Sequence, residues 1–352
     1  MSLILGLDIG GANTKYALIN TLGELITAGS EYFPFWKDVE NYENYLLKLK
    51  NKLEAEFGNI EYVSFVTTAE LADCFQTKKE GITAICNFVL KVFNEKLIKS
   101  PQIYSTVGLF ITANNASENW LEVSASNWMV SAKYLGMKYP NSLMIDIGST
   151  TADIIPIHNG EVVAQGRNDL ERLISGELVY SGMLRTNVIS IVQEIKLRGK
   201  IIPLSSELFA TTGDVYLILE MISEEEFNVE TADGKTANIK NAQARLARII
   251  CADVNQISEE EIKQIALQIK NKHKSLLSKA FNKILEQYRE TFQINPEFLL
   301  LGSGGSNFGL SLLRENGIYE QILINEVYNE CISTSFAAYA TAQIFIQEFL
   351  KK

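Results

Sequence analysis

The sequence predicts an α/β protein of two halves, each opening on a strand, a glycine loop and a second strand. Three observations predict it. The segment LDIGGANTKYALI at residues 7–19 returns as IDIGSTTADIIPI at 145–157, with Asp, Ile and Gly in the same places. Apolar strand patterns alternate with amphipathic helical patterns along the rest of the chain. The length of 352 residues corresponds to about two domains at roughly 100–200 residues each.

Taken in order, residues 3–9 and 16–20 read as strands around the first loop, with a turn at Thr21–Gly23. Asp38 is expected to cap an amphipathic helix that runs to Phe57, with Gly58 beyond its end. Residues 60–67 (IEYVSFVT) are a buried strand, 79–98 a helix stopped before Pro101, 106–112 (TVGLFIT) a strand and 124–136 a helix ending at Gly136. At Leu143 the pattern restarts, and Asn159-Gly160 marks a two-residue hairpin after the second strand. Residues 259–290 form a long helix whose start carries a capping box, Ser258 with Glu261. A strand ending in LLLGSGGSN and a final helix over about 330–350 complete the chain. The predicted division is 1–140 plus the C-terminal helix at about 330–352, against 141–329.

A net charge of −10 argues against nucleic acid and against an anionic membrane as partners, since both attract basic faces; small molecules are the expected partners. Cys74, Cys86, Cys251 and Cys331 are widely spaced, so isolated reduced thiols are expected in place of a zinc or disulfide site. His158 lies in the hairpin and His273 in the Lys-rich KNKHK stretch, where a solvated face is expected. No apolar run reaches the roughly 20 residues that span a bilayer, and no secretory leader pattern opens the chain, so the expectation is a cytoplasmic protein.

The two loops carry the chemistry. Gly10, Gly11 and Ala12, with Asn13 after them, and Gly148 with Ser149, let backbone N–H groups converge on one concavity that receives phosphate oxygens. Thr14, Thr150 and Thr151 add hydroxyls, and Lys15 adds a point charge. The carboxylates Asp8 and Asp146 would repel a phosphate directly. They make sense as ligands of Mg²⁺, which prefers hard oxygen donors. Each Asp-x-Gly alone is equally a tight turn in which Asp bonds its own backbone. A third loop, Gly302-Ser303-Gly304-Gly305, placed between a strand and a helix, tips the balance toward a ligand site.

In these three loops, DIGGANTK (8–15), DIGSTTAD (146–153) and LGSGGSN (301–307), the chain resembles the superfamily of actin, sugar kinases and Hsp70-type ATPases. The resemblance implies two ribonuclease-H-like domains around a central cleft, with the phosphate loops facing each other. The segments at 67–82, 125–132, 177–188 and 211–219 narrow it to an archaeal, hydantoinase/oxoprolinase-like branch. Within that branch the chain is similar to the family of methanofuran-pathway synthases that build a furan–tyramine ether. That family implies a transferase joining 5-(aminomethyl)-3-furanmethanol diphosphate to γ-glutamyltyramine, with pyrophosphate released, Mg²⁺ as cofactor and ATP or ADP not required.

Further residues enter from the family-like segments. Glu70, Asp73 and Asp214 are candidates for the proton acceptor. Trp128 and Tyr180 are candidates to line an aromatic pocket, although aromatic residues at such spacing more often belong to a core, and Asn127 is a further substrate candidate. Arg185 is expected to pair with a carboxylate or phosphate, or else to form a structural salt bridge. Thr212 belongs to a polar TTGD turn, and Lys79 to a charge run that is solvated by default. Arg245 and Arg248 share a helix face, and surface placement is expected for both. The rival reading is an ATP-dependent kinase or ATPase of the same fold; a nucleotide sensor without catalysis stands third.

Overall fold

A computed structural model describes residues 2–93, 97–302 and 306–351. The chain divides into two compact units. Unit 1 comprises residues 1–142, 155–175 and 324–352, and unit 2 comprises 143–154 and 176–323.

Unit 1 is built on a six-stranded sheet in the order β3-β2-β1-β4-β5-β6. Its centre is β1 (Leu3–Ile9), seven residues buried on both faces, as a strand needs when helices cover the sheet twice. β1 pairs antiparallel with β2 (Asn13–Asn20), opposing Asp8 to Lys15, and parallel with β4 (Ile60–Thr67). β3 (Leu25–Tyr32) flanks β2, while the short β5 (Gln102–Tyr104) and β6 (Phe110–Thr112) close the other edge. The helices Tyr42–Phe57 and Lys78–Phe93 bury Leu46, Leu49, Ile82 and Val89 against one face. On the other face the helix Phe336–Phe345 lies on β1 so closely that a Cβ on Gly6 would sit 1.9 Å from the Ala338 carbonyl oxygen.

A second sheet is formed by β7 (Ser142–Ile147), β8 (Ala152–His158), β9 (Leu178–Val179), β10 (Glu297–Leu301) and β11 (Ile322–Leu323), in the order β9-β8-β7-β10-β11. The order 3-2-1-4-5 thus occurs twice, each time with the glycine loop between its first two strands. Helices Thr212–Ile218 and Ile239–Arg248 pack on the 34-residue helix Glu259–Phe292. That helix begins at the expected capping box, where the Ser258 side chain accepts from Glu261 N–H and the Glu261 carboxylate accepts from Ser258 N–H. The fold class is the expected one: mixed α/β, with two sheets of ribonuclease-H type.

Several boundaries differ from expectation. The first long helix starts at Tyr42 with Asn41 as its cap, not at Asp38, which ends a separate turn Phe35–Asp38. The stretch expected as a strand over 106–112 is a turn at Gly108 (φ +81) followed by three strand residues, and β5 lies before it. The helix expected over 79–98 is described from Lys78 to Phe93, and the one expected from 124 begins at Asn127. His273 is fully buried rather than solvated: at helical spacing it joins the Ile262, Ile265, Ile269 and Leu277 stripe. Arg245 is also fully buried, because Asp214 and Asp233 meet it inside unit 2 at 2.6 and 3.0 Å. The four cysteines are free thiols, and no group of three metal-ligating side chains occurs among the described residues. No described helix is long and apolar enough to cross a membrane.

Candidate functional site

In unit 1 the loop after β1 is closed by one bond, from Gly10 N–H to the Asn13 carbonyl at 2.9 Å. Two carbonyls of the loop are held from behind: Phe35 N–H donates to Gly11 O and Phe33 N–H to Ala12 O, at 2.9 and 3.0 Å. A trans peptide points its N–H opposite to its carbonyl, so the amides of Ala12 and Asn13 face away from the supporting segment. Unit 2 repeats the device with different support. Gly148 N–H closes on the Thr151 carbonyl at 2.9 Å, while Met183 N–H holds Gly148 O, and Leu184 and Arg185 N–H hold Ser149 O. The Ser149 and Thr150 amides are turned outward by the same logic. Successive outward N–H groups are what an anion receptor requires.

Asp8 ends up 7% exposed at the C-terminal end of β1, and its Oδ1 has no hydrogen-bond partner among the described residues. Burial pushes its carboxyl above the usual range, against the opposing pull of Lys15 across the strand pair. A buried carboxylate oxygen left without a donor is suited to a hard cation that keeps several of its own waters, so the donor set fits Mg²⁺. In unit 2 Asp146 occupies the corresponding place, half-buried. A Cβ on Gly302 (φ +90) would come within 3.1 Å of Asp146 Oδ1, so the start of the third loop and this carboxylate are brought together. Ser303, Gly304 and Gly305 lie outside the described residues.

The next strand of unit 1 delivers a second acid to the same sheet edge. Thr68 N–H and the Thr67 hydroxyl both donate to Ile9 O at 2.9 Å, fixing the TTAE turn beside the first loop. Glu70 in that turn is 1% exposed. Burial raises its carboxyl to about 7, moderated by backbone N–H groups of Glu70 and Ala125 and by Lys78, with Asp169 acting in the opposite sense. Ala125 holds a left-handed backbone (φ 47), a strained conformation for a residue with a Cβ, at the point where its amide reaches Glu70. Asn127 follows, half-buried, and Trp128 is buried with the Arg172 guanidinium 4.1 Å from its ring centroid.

Other predicted residues fall elsewhere. Thr14 is not a phosphate donor: alternation along β2 turns it fully inward, where its hydroxyl bonds Tyr42 OH at 3.0 Å. Thr212 is 1% exposed and donates to Gly182 O at 2.8 Å, so it acts behind the second loop and not on a substrate. Asp214 is committed to structure, with Oδ1 on Arg245 and Oδ2 accepting from Thr211 N–H, so it presents no open oxygen as a proton acceptor. Asp73 and Lys79 are exposed, Tyr180 is 63% exposed, and Arg185 is half-buried. Thr68 and Gly182 were not singled out by sequence. A Cβ on Gly182 would sit 2.6 Å from Gly148 O, Ser149 C and Thr150 N, and its glycine within SGMLR was the available signal.

The hydantoinase/oxoprolinase family model matches residues 61–348. A protein of Methanocaldococcus jannaschii, (4-{4-[2-(gamma-L-glutamylamino)ethyl]phenoxymethyl}furan-2-yl)methanamine synthase, is 38% identical over 99% of each chain. A synthase of the same name from Methanococcus vannielii is 34% identical over 60% of this chain and 94% of its own. Among solved structures, nucleotide-free acetone carboxylase superposes with a TM-score of 0.56 at 12% identity, over 96% of this chain and 70% of that one.

Proposed function

We propose a reaction from one premise: this chain belongs to the hydantoinase/oxoprolinase family. The reaction is ether formation in methanofuran biosynthesis, from 5-(aminomethyl)-3-furanmethanol diphosphate and γ-glutamyltyramine; the ether printed in its relatives' names supports the product. The bond from the furfuryl carbon to the diphosphate oxygen breaks, and its electron pair leaves as pyrophosphate. A phenol oxygen lone pair forms the new carbon–oxygen bond, and the phenolic proton departs. The protein is then a transferase of an alkyl group with diphosphate as leaving group.

The observation that carries the reading is the pair of loops whose carbonyls are held from behind, leaving Ala12, Asn13, Ser149 and Thr150 amides outward. Such donors, fixed before the reaction, stabilise charge that grows on a leaving oxygen without reorganising. Asp8 would hold a Mg²⁺ ion on the first loop of unit 1. The ion supplies charge neutralisation for the diphosphate. Burial raises the Asp8 carboxyl, and Lys15 across the strand pair offsets part of that rise. Glu70, whose carboxyl burial raises to about 7, would take the phenolic proton near neutral pH.

Purified protein given Mg²⁺ and both substrates should release pyrophosphate, followed by phosphorus NMR, one for each ether formed. Absence of pyrophosphate, together with ADP formation from ATP, would replace this reading with a kinase.

A further inference from the structure

Beside the TTAE turn, unit 1 contains a cavity of about 610 Å³ whose walls include Lys78, Lys79, Trp120, Leu121, Asn168 and Leu170. Its size lies within the roughly 300–1,000 Å³ of small-molecule pockets. The walls are apolar and open to water: Leu170 is 69% and Leu121 45% exposed, and Trp120 is only partly covered by the core. Two cations stand on the rim. Lys78 is matched by Asp169 at 3.5 Å. Lys79 is exposed and has no ion-pair partner among the described residues. An apolar trough with one unmatched cation suits an elongated ligand with an aromatic or alkyl body and a single carboxylate end. Lys78 both lines the cavity and bears electrostatically on Glu70, so the trough and the buried acid adjoin within one unit.

We propose that this cavity is the acceptor subsite, in which Lys79 binds the α-carboxylate of the γ-glutamyl group while Trp120, Leu121 and Leu170 cover the tyramine body. The proposal rests on the ether-synthase reading for the identity of the acceptor. A γ-glutamyl carboxylate at Lys79 explains why the acceptor would be used in its glutamylated form: tyramine lacks the anion and offers Lys79 nothing.

Calorimetry with γ-glutamyltyramine and with tyramine, both in the presence of Mg²⁺ and pyrophosphate, tests it on the wild type, Lys79→Ala and Lys79→Arg. An exposed ion pair is worth up to about 1 kcal/mol, so Lys79→Ala should weaken γ-glutamyltyramine binding about fivefold and leave tyramine unchanged, while Lys79→Arg retains the preference. Equal affinity of wild type and Lys79→Ala for γ-glutamyltyramine overturns the subsite, as does a wild type that does not bind it. The measurement needs no turnover, so failure of the pyrophosphate assay and failure of this subsite are separate results.

Discussion

A carboxyl group buried to 1% exposure, with only backbone amides and one lysine to favour its charge, is an acid that folding holds back from ionising. For Glu70 the consequence has a definite sign. An unfolded chain releases this proton near 4.5 and the folded one near 7, so the native state binds more protons between those values. Its contribution to stability therefore falls as pH rises through that window. Replacing Glu70 by Gln should stabilise the protein at pH 8, by at most roughly 3 kcal/mol at 1.36 kcal/mol per pKa unit, as read from urea unfolding. The same variant should lose about 100-fold in pyrophosphate release, the lower end of what a general base supplies, together with the rise in wild-type rate that ends above about pH 7. An unchanged pH profile would remove Glu70 from the chemistry. At Gly182 the expected effect is steric. Gly182→Ala places a methyl 2.6 Å from three backbone atoms of the second loop, displacing its outward amides. It should raise the KM for the diphosphate substrate at least tenfold and cost about 1–3 kcal/mol of stability.

At the scale of elements, the sequence was most legible where local chemistry decides. Ser258 and Glu261 announced the start of the long helix, and Asn159-Gly160 announced a turn in which both residues have positive φ, 51° and 78°. It was least legible where tertiary partners override a local signal. Arg245 reads as a surface cation until Asp214 and Asp233, distant in sequence, close on it. His273 sits in a run of lysines, yet its ring is fixed by Ser181 Oγ at 2.9 Å and Tyr216 OH at 2.6 Å. The 3.6-residue stripe of isoleucines around it was the stronger signal. Thr14 reads as a loop hydroxyl only if the strand starts at residue 16; β2 starts at Asn13, so strand alternation decides which side that hydroxyl takes. The contact between β1 and the helix Phe336–Phe345 has a sharp test. Gly6→Ala should lower the melting temperature, with a loss of about 3 kcal/mol or more, and should speed hydrogen exchange within residues 336–345. Normal protection there would show that the helix can yield to a methyl group.

For the whole molecule, the two units carry buried titratable groups of opposite sign. Burial lowers His273 to about 4 from an ordinary 6.5, so unfolded chains bind the extra proton between those values, and the contribution of His273 is lost as pH falls through them. Glu70 belongs to unit 1 and His273 to unit 2. Native-state hydrogen exchange compared at pH 5 and pH 7.5 should therefore respond unit by unit. Glu70→Gln should flatten a decline with rising pH in unit 1 amides alone, and His273→Gln an increase in unit 2 amides alone. A variant that alters both units equally would show a single cooperative block.

The seating of Ala338 on Gly6 also bears on the order in which the protein is made. Unit 2 is complete once residue 323 has emerged, whereas unit 1 draws its last segment from residues 324–352. A nascent chain thus displays DIGGANTK early, but the apolar back of β1 stays uncovered until residues 336–345 have emerged. The unit that carries Asp8 and Glu70 is therefore the later of the two to gain its full set of segments.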